Sequence, residues 1–136
     1  MLVQNFKSAS DLSITERERD ALIKVLGLLE REEIIFVPYD PVDRGGDRPT
    51  YTGHFNMNSW ARPASCGTIA CIGGTAELIG GVDFSRYYSD TEVYRLFYPG
   101  REVPDCEYES ITVDQAAQAL RSYLTTGAAG WSKILD

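Results

Sequence analysis

Cys66, Cys71, Cys106 and His54 are the residues whose types could support covalent or metal chemistry in this chain. The thiolate is the nucleophilic form of cysteine, and a helix N-terminus favours it through unpaired N–H groups and the positive end of the helix dipole. Cys66 stands at the head of the run Cys66-Gly67-Thr68-Ile69-Ala70-Cys71-Ile72-Gly73-Gly74-Thr75-Ala76, which reads as the start of a buried helix over about 67–80. Placed there, it would have the next N–H groups as an oxyanion site and His54, the single histidine, as its base. Cys66 with His54 is the candidate catalytic pair. The competing reading makes Cys66 a small packed hydrophobe and His54 a hairpin or loop residue bonded to backbone.

The same four residues also equal the ligand count of a tetrahedral zinc site. Their spacing argues against one. Residues five apart on a helix rise about 7.5 Å and point about 140° apart, so Cys66 and Cys71 make a poor disulfide if both are helical and meet a common ion only if Cys66 lies outside the helix. Paired Cys-x-x-Cys spacing is missing. No metal and no cofactor is assigned. The Cys-Gly start is superficially similar to papain-like proteases, but there the histidine follows the cysteine, and here His54 precedes it.

Gly73-Gly74 form no phosphate-cradling motif, because they fall inside the expected helix rather than between a strand and a helix. Each interior glycine costs about 1 kcal/mol relative to alanine, which calls for a compensating contact. Gly67, Ala70 and Gly74 recur at helical spacing, and the expected contact is another helix against the Ala70/Gly74 face. Glu77, the one acid of that helix, either lines a pocket or reaches solvent. Asp105, Glu107 and Glu109 alternate around Cys106 without a calcium-loop framework. Tyr87, Tyr88, Tyr94 and Tyr98 cluster in sequence and suggest an interaction surface, against the commoner reading that such residues edge a small core.

The elements that must position these residues follow from periodicity and caps. Ser13 with Glu16, and Thr15 with Glu18, fit capping boxes ahead of the stripe Ala21, Leu22, Val25, Leu26, Leu28 and Leu29. Ile34–Val37 reads as a strand stopped by Pro38, and 51–57 as its return in a small β-hairpin. Between them, 38–53 is a long loop, a length characteristic of functional or mobile segments. Gly80-Gly81 stops the central helix. Ser89 with Glu92 opens a short helix bearing Val93, Leu96 and Phe97. Thr112 with Gln115 caps a last strong helix whose stripe is Ala116, Ala117, Leu120, Tyr123 and Leu124, closed near Gly127, and Trp131, Ile134 and Leu135 fold back as a terminal turn.

These elements give a mainly α fold, a single compact helical domain over 1–136 of about four helices, with the hairpin of 34–37 and 51–57 as its only sheet. A chain of 136 residues has room for one such core. The net charge of −7 and the scattered basic residues argue against a nucleic-acid partner. No apolar run reaches the about 20 residues of a membrane span, and residues 1–7 do not read as a secretory signal. An odd number of cysteines suits a reduced, cytoplasmic setting.

Phe55-Asn56-Met57, Trp60 and the Cys66–Ala76 segment, with Leu96-Phe97, Thr112, Gln115-Ala116-Ala117, Leu120, Thr126-Gly127 and Trp131, resemble a set of small uncharacterised bacterial and phage-associated proteins. The resemblance spans about 54–131 and departs at Thr75, where a larger ring is expected. It implies an architecture and a motif, with no catalytic assignment. The reading that follows is a non-catalytic cytoplasmic domain that binds another protein or itself. The alternative is a cysteine-dependent enzyme using Cys66 with His54, and a third reading is a small-molecule binder with 38–53 as its lid.

Overall fold

The computed structural model describes residues 5–38, 48–64 and 67–136. Cys66 and most of the 38–53 loop lie outside the described residues. Within them the chain forms α1 (Ala9–Leu12), α2 (Glu16–Glu30), β1 (Ile35–Phe36), β2 (His54–Phe55), β3 (Ala61–Ala64), β4 (Gly67–Ala70), α3 (Ile72–Gly80), α4 (Glu92–Phe97), α5 (Val113–Thr126) and α6 (Trp131–Ile134). Short 3-10 turns stand at Pro99–Arg101 and Tyr108–Ser110.

Six α-helices and a four-stranded mixed sheet make this an α/β fold, which corrects the expectation of a mainly α domain of about four helices. The strand order is β1-β2-β4-β3. β1 does pair with β2, but in parallel (Ile35 opposite His54, Phe36 opposite Phe55), so the expected hairpin of 34–37 and 51–57 does not form. Antiparallel partners can be joined by two residues, whereas a parallel pair needs a crossover of about a dozen or more. The length of the 38–53 segment, which periodicity alone leaves unexplained, is thus a topological requirement. β2 continues in parallel onto β4, and β3 closes the sheet antiparallel to β4. Pro63 sits in β3 at the end of the strand order, where a residue without an N–H is tolerated.

The central helix starts later than its composition predicts. Gly67–Ala70 is strand, with Thr68, Ile69 and Ala70 all buried, and the helix begins at Ile72 with Cys71 as its N-cap. A short continuous apolar run reads equally as buried strand or buried helix, and only the pairing with β2 and β3 decides it.

The other helices follow their caps. Thr15 and Glu18 close a reciprocal capping box on α2, and Thr112 and Gln115 do the same on α5; the Ser13/Glu16 alternative is not used, because Ser13 caps the C-terminus of α1 instead. α4 is capped by Thr91 rather than by Ser89. α2 packs on both α3 and α5. The resulting core includes Leu22, Leu26, Phe55, Ile72, Leu120 and Trp131. The indole N–H of Trp131 reaches the carbonyls of Arg95 and Leu96, at 3.2 and 3.1 Å, which ties the C-terminal turn to α4. No helix among the described residues is long and apolar enough to cross a membrane.

Candidate functional site

Trp60 occupies the place where the glycines of α3 find their purpose. A Cβ built on Gly74 would lie 1.2 Å from the Trp60 carbonyl oxygen, and one on Gly73 would lie 2.2 Å from the Trp60 indole. The surface these residues clear is therefore filled by the turn into β3, not by the helix expected against the Ala70/Gly74 face; Ala70 itself belongs to β4. A true helix contact occurs at the end of α3, where a Cβ on Gly80 would sit 2.5 Å from the Ala21 methyl of α2.

The turn that delivers Trp60 is fixed by backbone and amide hydrogen bonds. Asn56, buried, donates its side-chain amide to the Val37 carbonyl and accepts from the Asn58 N–H. The Cys71 N–H donates to Ser59 O at 2.7 Å. On the far side of the indole, Trp60 Nε1 donates to Glu77 Oε1 at 2.7 Å, and the other oxygen of Glu77 accepts from the Phe84 N–H at 2.8 Å. One carboxylate thus couples the β3 turn, α3 and the segment leading to α4.

Around this anchor lies a cavity of about 370 Å³, within the range of small-ligand pockets. Its walls are the rings of Trp60, Phe84, Tyr87, Tyr94, Phe97 and Tyr98. The Trp60 ring stands edge-on to Phe97 at 5.4 Å and lies parallel to Tyr98 at 6.0 Å; Tyr94 and Tyr98 are 4.4 Å apart. Phe84 and Phe97 are buried and form the floor, while the Trp and the three tyrosines are half-exposed. Among the described residues the polar lining is Glu77, Asp83 and Ser85, with no basic side chain. The Ser85 N–H and hydroxyl hold Asp83 below the usual carboxylate range. Burial raises the Tyr98 phenol.

Tyr87 links this pocket to a second ionic cluster. Its hydroxyl donates to Glu18 Oε1 at 2.5 Å, Arg86 pairs with Glu18 Oε2 at 2.6 Å, and the Arg86 guanidinium lies 4.6 Å above the Tyr87 ring. Glu18 is 2% exposed. Burial works against its charge, but hydrogen bonds from the Thr15 N–H, Tyr87 and Arg86 outweigh it and lower the pKa. Burial and the Glu18 carboxylate push the Tyr87 phenol up to about 12.

Of the cysteines expected to carry chemistry, Cys71 and Cys106 are among the described residues. Cys71 is buried; its Sγ accepts from the Gly74 N–H at 3.4 Å and its thiol faces the Trp60 carbonyl at 3.9 Å. Burial pushes the thiol up to about 12, against a partial offset from the Gly74 and Gly73 N–H groups. A neutral thiol capping a helix is a structural group. Burial likewise raises Cys106. His54, on β2, places Nδ1 3.2 Å from Thr52 Oγ1, whose own proton goes to the Thr68 carbonyl. That assigns Nδ1 as donor and leaves Nε2 as the basic nitrogen. No three His, Cys, Asp or Glu side chains among the described residues converge on a common ion position.

The pocket itself was only half legible. Glu77 and the tyrosine cluster carry a signal, but Trp60 reaches Glu77 from 17 residues away and Tyr98 from further still, and nothing in the spacing of Phe84 marks its contact with Glu77. No family model, curated protein or solved structure matches this chain.

Proposed function

We propose that the chain is a non-catalytic domain that binds another protein through the Trp60/Tyr98 pocket. The observation that supports this most is the half-exposed ring wall itself; Tyr88, one residue beyond Tyr87 in the chain, is 78% exposed. Large aromatic side chains with a polar tip are the residues that anchor protein interfaces, because they bury much area for little lost rotamer freedom. The acidic balance of the chain, −7, favours a basic partner surface.

A photoreactive p-benzoylphenylalanine at Tyr88 tests the reading in the native host. The expected result is a discrete adduct whose mass distinguishes a partner from a second copy of the chain, and which is lost when Ser85→Trp blocks the pocket mouth. An adduct insensitive to Ser85→Trp, or formed equally from position Ser10 on α1, overturns it. The cysteine-dependent alternative makes a different demand. Iodoacetamide would have to modify Cys66 below about pH 8 and ahead of Cys106.

A further inference from the structure

We infer that the pocket receives a cationic side chain of the partner, an alkylated ammonium or a guanidinium, with Glu77 as its counter-charge. The inference rests on the protein-binding reading above and adds the chemistry of what is bound. Ring faces carry negative potential and attract cations, most strongly at Trp. Trp60, Tyr94 and Tyr98 contribute rings to one cavity, and Glu77 and Asp83 are its ionisable polar lining. An anionic group entering there would meet two carboxylates and, among the described lining residues, no basic side chain; the neighbouring Arg86 is already paired with Glu18. A neutral apolar group would be accepted by the rings but would gain nothing from Glu77, whose carboxylate is oriented by Trp60 Nε1 and the Phe84 N–H.

The molecule contains one instance of the same chemistry next door. Arg86 lies over the Tyr87 ring with its guanidinium already neutralised by Glu18, so a ring, a guanidinium and a carboxylate already form one stable unit at the pocket edge. The inner pocket has the ring and carboxylate parts of that unit without a basic residue among its described lining. Its position also suits a side chain arriving from outside, since the rings are half-exposed and Asp83 and Ser85 stand at the rim.

Choline and its neutral tert-butyl isostere, titrated into the full chain, separate charge from shape. The readout is the indole N–H resonance of Trp60, identified by its loss in Trp60→Phe; Trp131, fully buried, serves as the internal reference. Choline is expected to shift the Trp60 signal and to bind about tenfold more tightly than the isostere, the order of a desolvated cation–ring contact. Glu77→Gln is expected to remove most of that difference while leaving the isostere unchanged. Should Glu77→Gln fail to fold, Asp83→Asn, exposed at the rim, is expected to narrow the preference by about twofold. A capped peptide carrying trimethyllysine or arginine must then give the same Trp60 shift.

Equal binding of choline and isostere, or no Trp60 shift with either, overturns the cation assignment even if the Tyr88 adduct persists. Binding of choline with no response to either peptide overturns the partner side chain and leaves a free small cation. Loss of the Tyr88 adduct's dependence on the pocket, with cation selectivity intact, would instead bring down the protein-binding reading, and the partner side chain with it, while the pocket's preference for a cation stands.

Discussion

Helices α5 and α3 both begin on a side chain that accepts an N–H and end on a left-handed glycine, Gly127 at φ 91° and Gly81 at φ 62°, yet their surroundings differ in kind. α5 has a reciprocal capping box and a regular apolar stripe, and that stripe fits the helix core almost independently of which neighbour supplies it. α3 starts on a thiol, carries two glycines in its first turn, and owes its position to the Trp60 backbone lying where those glycines have no side chains. The first kind of helix is specified by local pattern. The second is specified by one distant residue, and the candidate pocket grows from that seam.

The largest effect is expected at Gly74. Overpacking a core usually costs about 1–3 kcal/mol, because side chains can turn aside. The obstacle here is a carbonyl oxygen 1.2 Å from the new Cβ, part of the β3 backbone and hydrogen-bonded surroundings. Gly74→Leu is therefore expected to leave no cooperative unfolding transition in circular dichroism. A fully stable variant would mean that α3 is not seated on Trp60.

On the α5 side, Leu120 is fully buried between the helices. Leu120→Ala is expected to cost about 3 kcal/mol in urea unfolding, the usual sum of lost transfer energy and residual cavity. The contrast lies in what else changes. Leu120→Ala should leave the Trp60 indole signal in place, because a cavity within the helical core does not touch the β3 turn. A shifted Trp60 signal would show that the two regions are not separable.

Gly73→Ala should do the reverse. The methyl would meet the far edge of the Trp60 indole at 2.2 Å rather than backbone, and a ring can be displaced. The expected cost is about 1–3 kcal/mol, with the Trp60–Glu77 hydrogen bond broken and probe binding to the pocket lost. Preserved binding would place the pocket's affinity elsewhere than on Trp60.

These pairs also explain what could be read without coordinates. The stripes Ala21–Leu29 and Ala116–Leu124, with the Thr15/Glu18 and Thr112/Gln115 boxes, are written within one or two helical turns, and each of those helices forms where the spacing places it. Gly67–Ala70 is as apolar as a helix and became a strand because β2 and β3 flank it, a fact carried by those strands and not by its own spacing. The same holds for the parallel β1–β2 pair. The glycines signalled a close approach correctly but could not name its partner, since nothing in a glycine's own spacing tells a helix surface from a carbonyl group. Glu77 was legible as a pocket candidate, and Trp60 as part of the motif, but not their hydrogen bond.

The smallest effect separates the two helix starts themselves. Thr112 is exposed and cannot titrate, whereas the Cys71 thiol is buried and pushed from an ordinary value near 9 up to about 12. The folded state therefore holds its proton where the unfolded chain has released it. Stability from this group is complete below about pH 9 and declines as pH rises from 9 toward 12, by about 1 kcal/mol per pH unit once the unfolded thiol is ionised. Tyr87 adds a decline of the same sign, but only above its ordinary value of 10; Cys106, also raised by burial, contributes from pH 9 upward, so the Cys71 share between pH 9 and 10 is the difference between the parent chain and Cys71→Ser. Cys71→Ser keeps a capping oxygen and removes the ionisable group. It should flatten the slope between pH 9 and 10 while changing neutral stability little, because serine is itself a favoured N-cap. An unchanged slope in Cys71→Ser would show that the thiol does not stay protonated inside the fold, and that the start of α3 is open to solvent in a way the start of α5 is not.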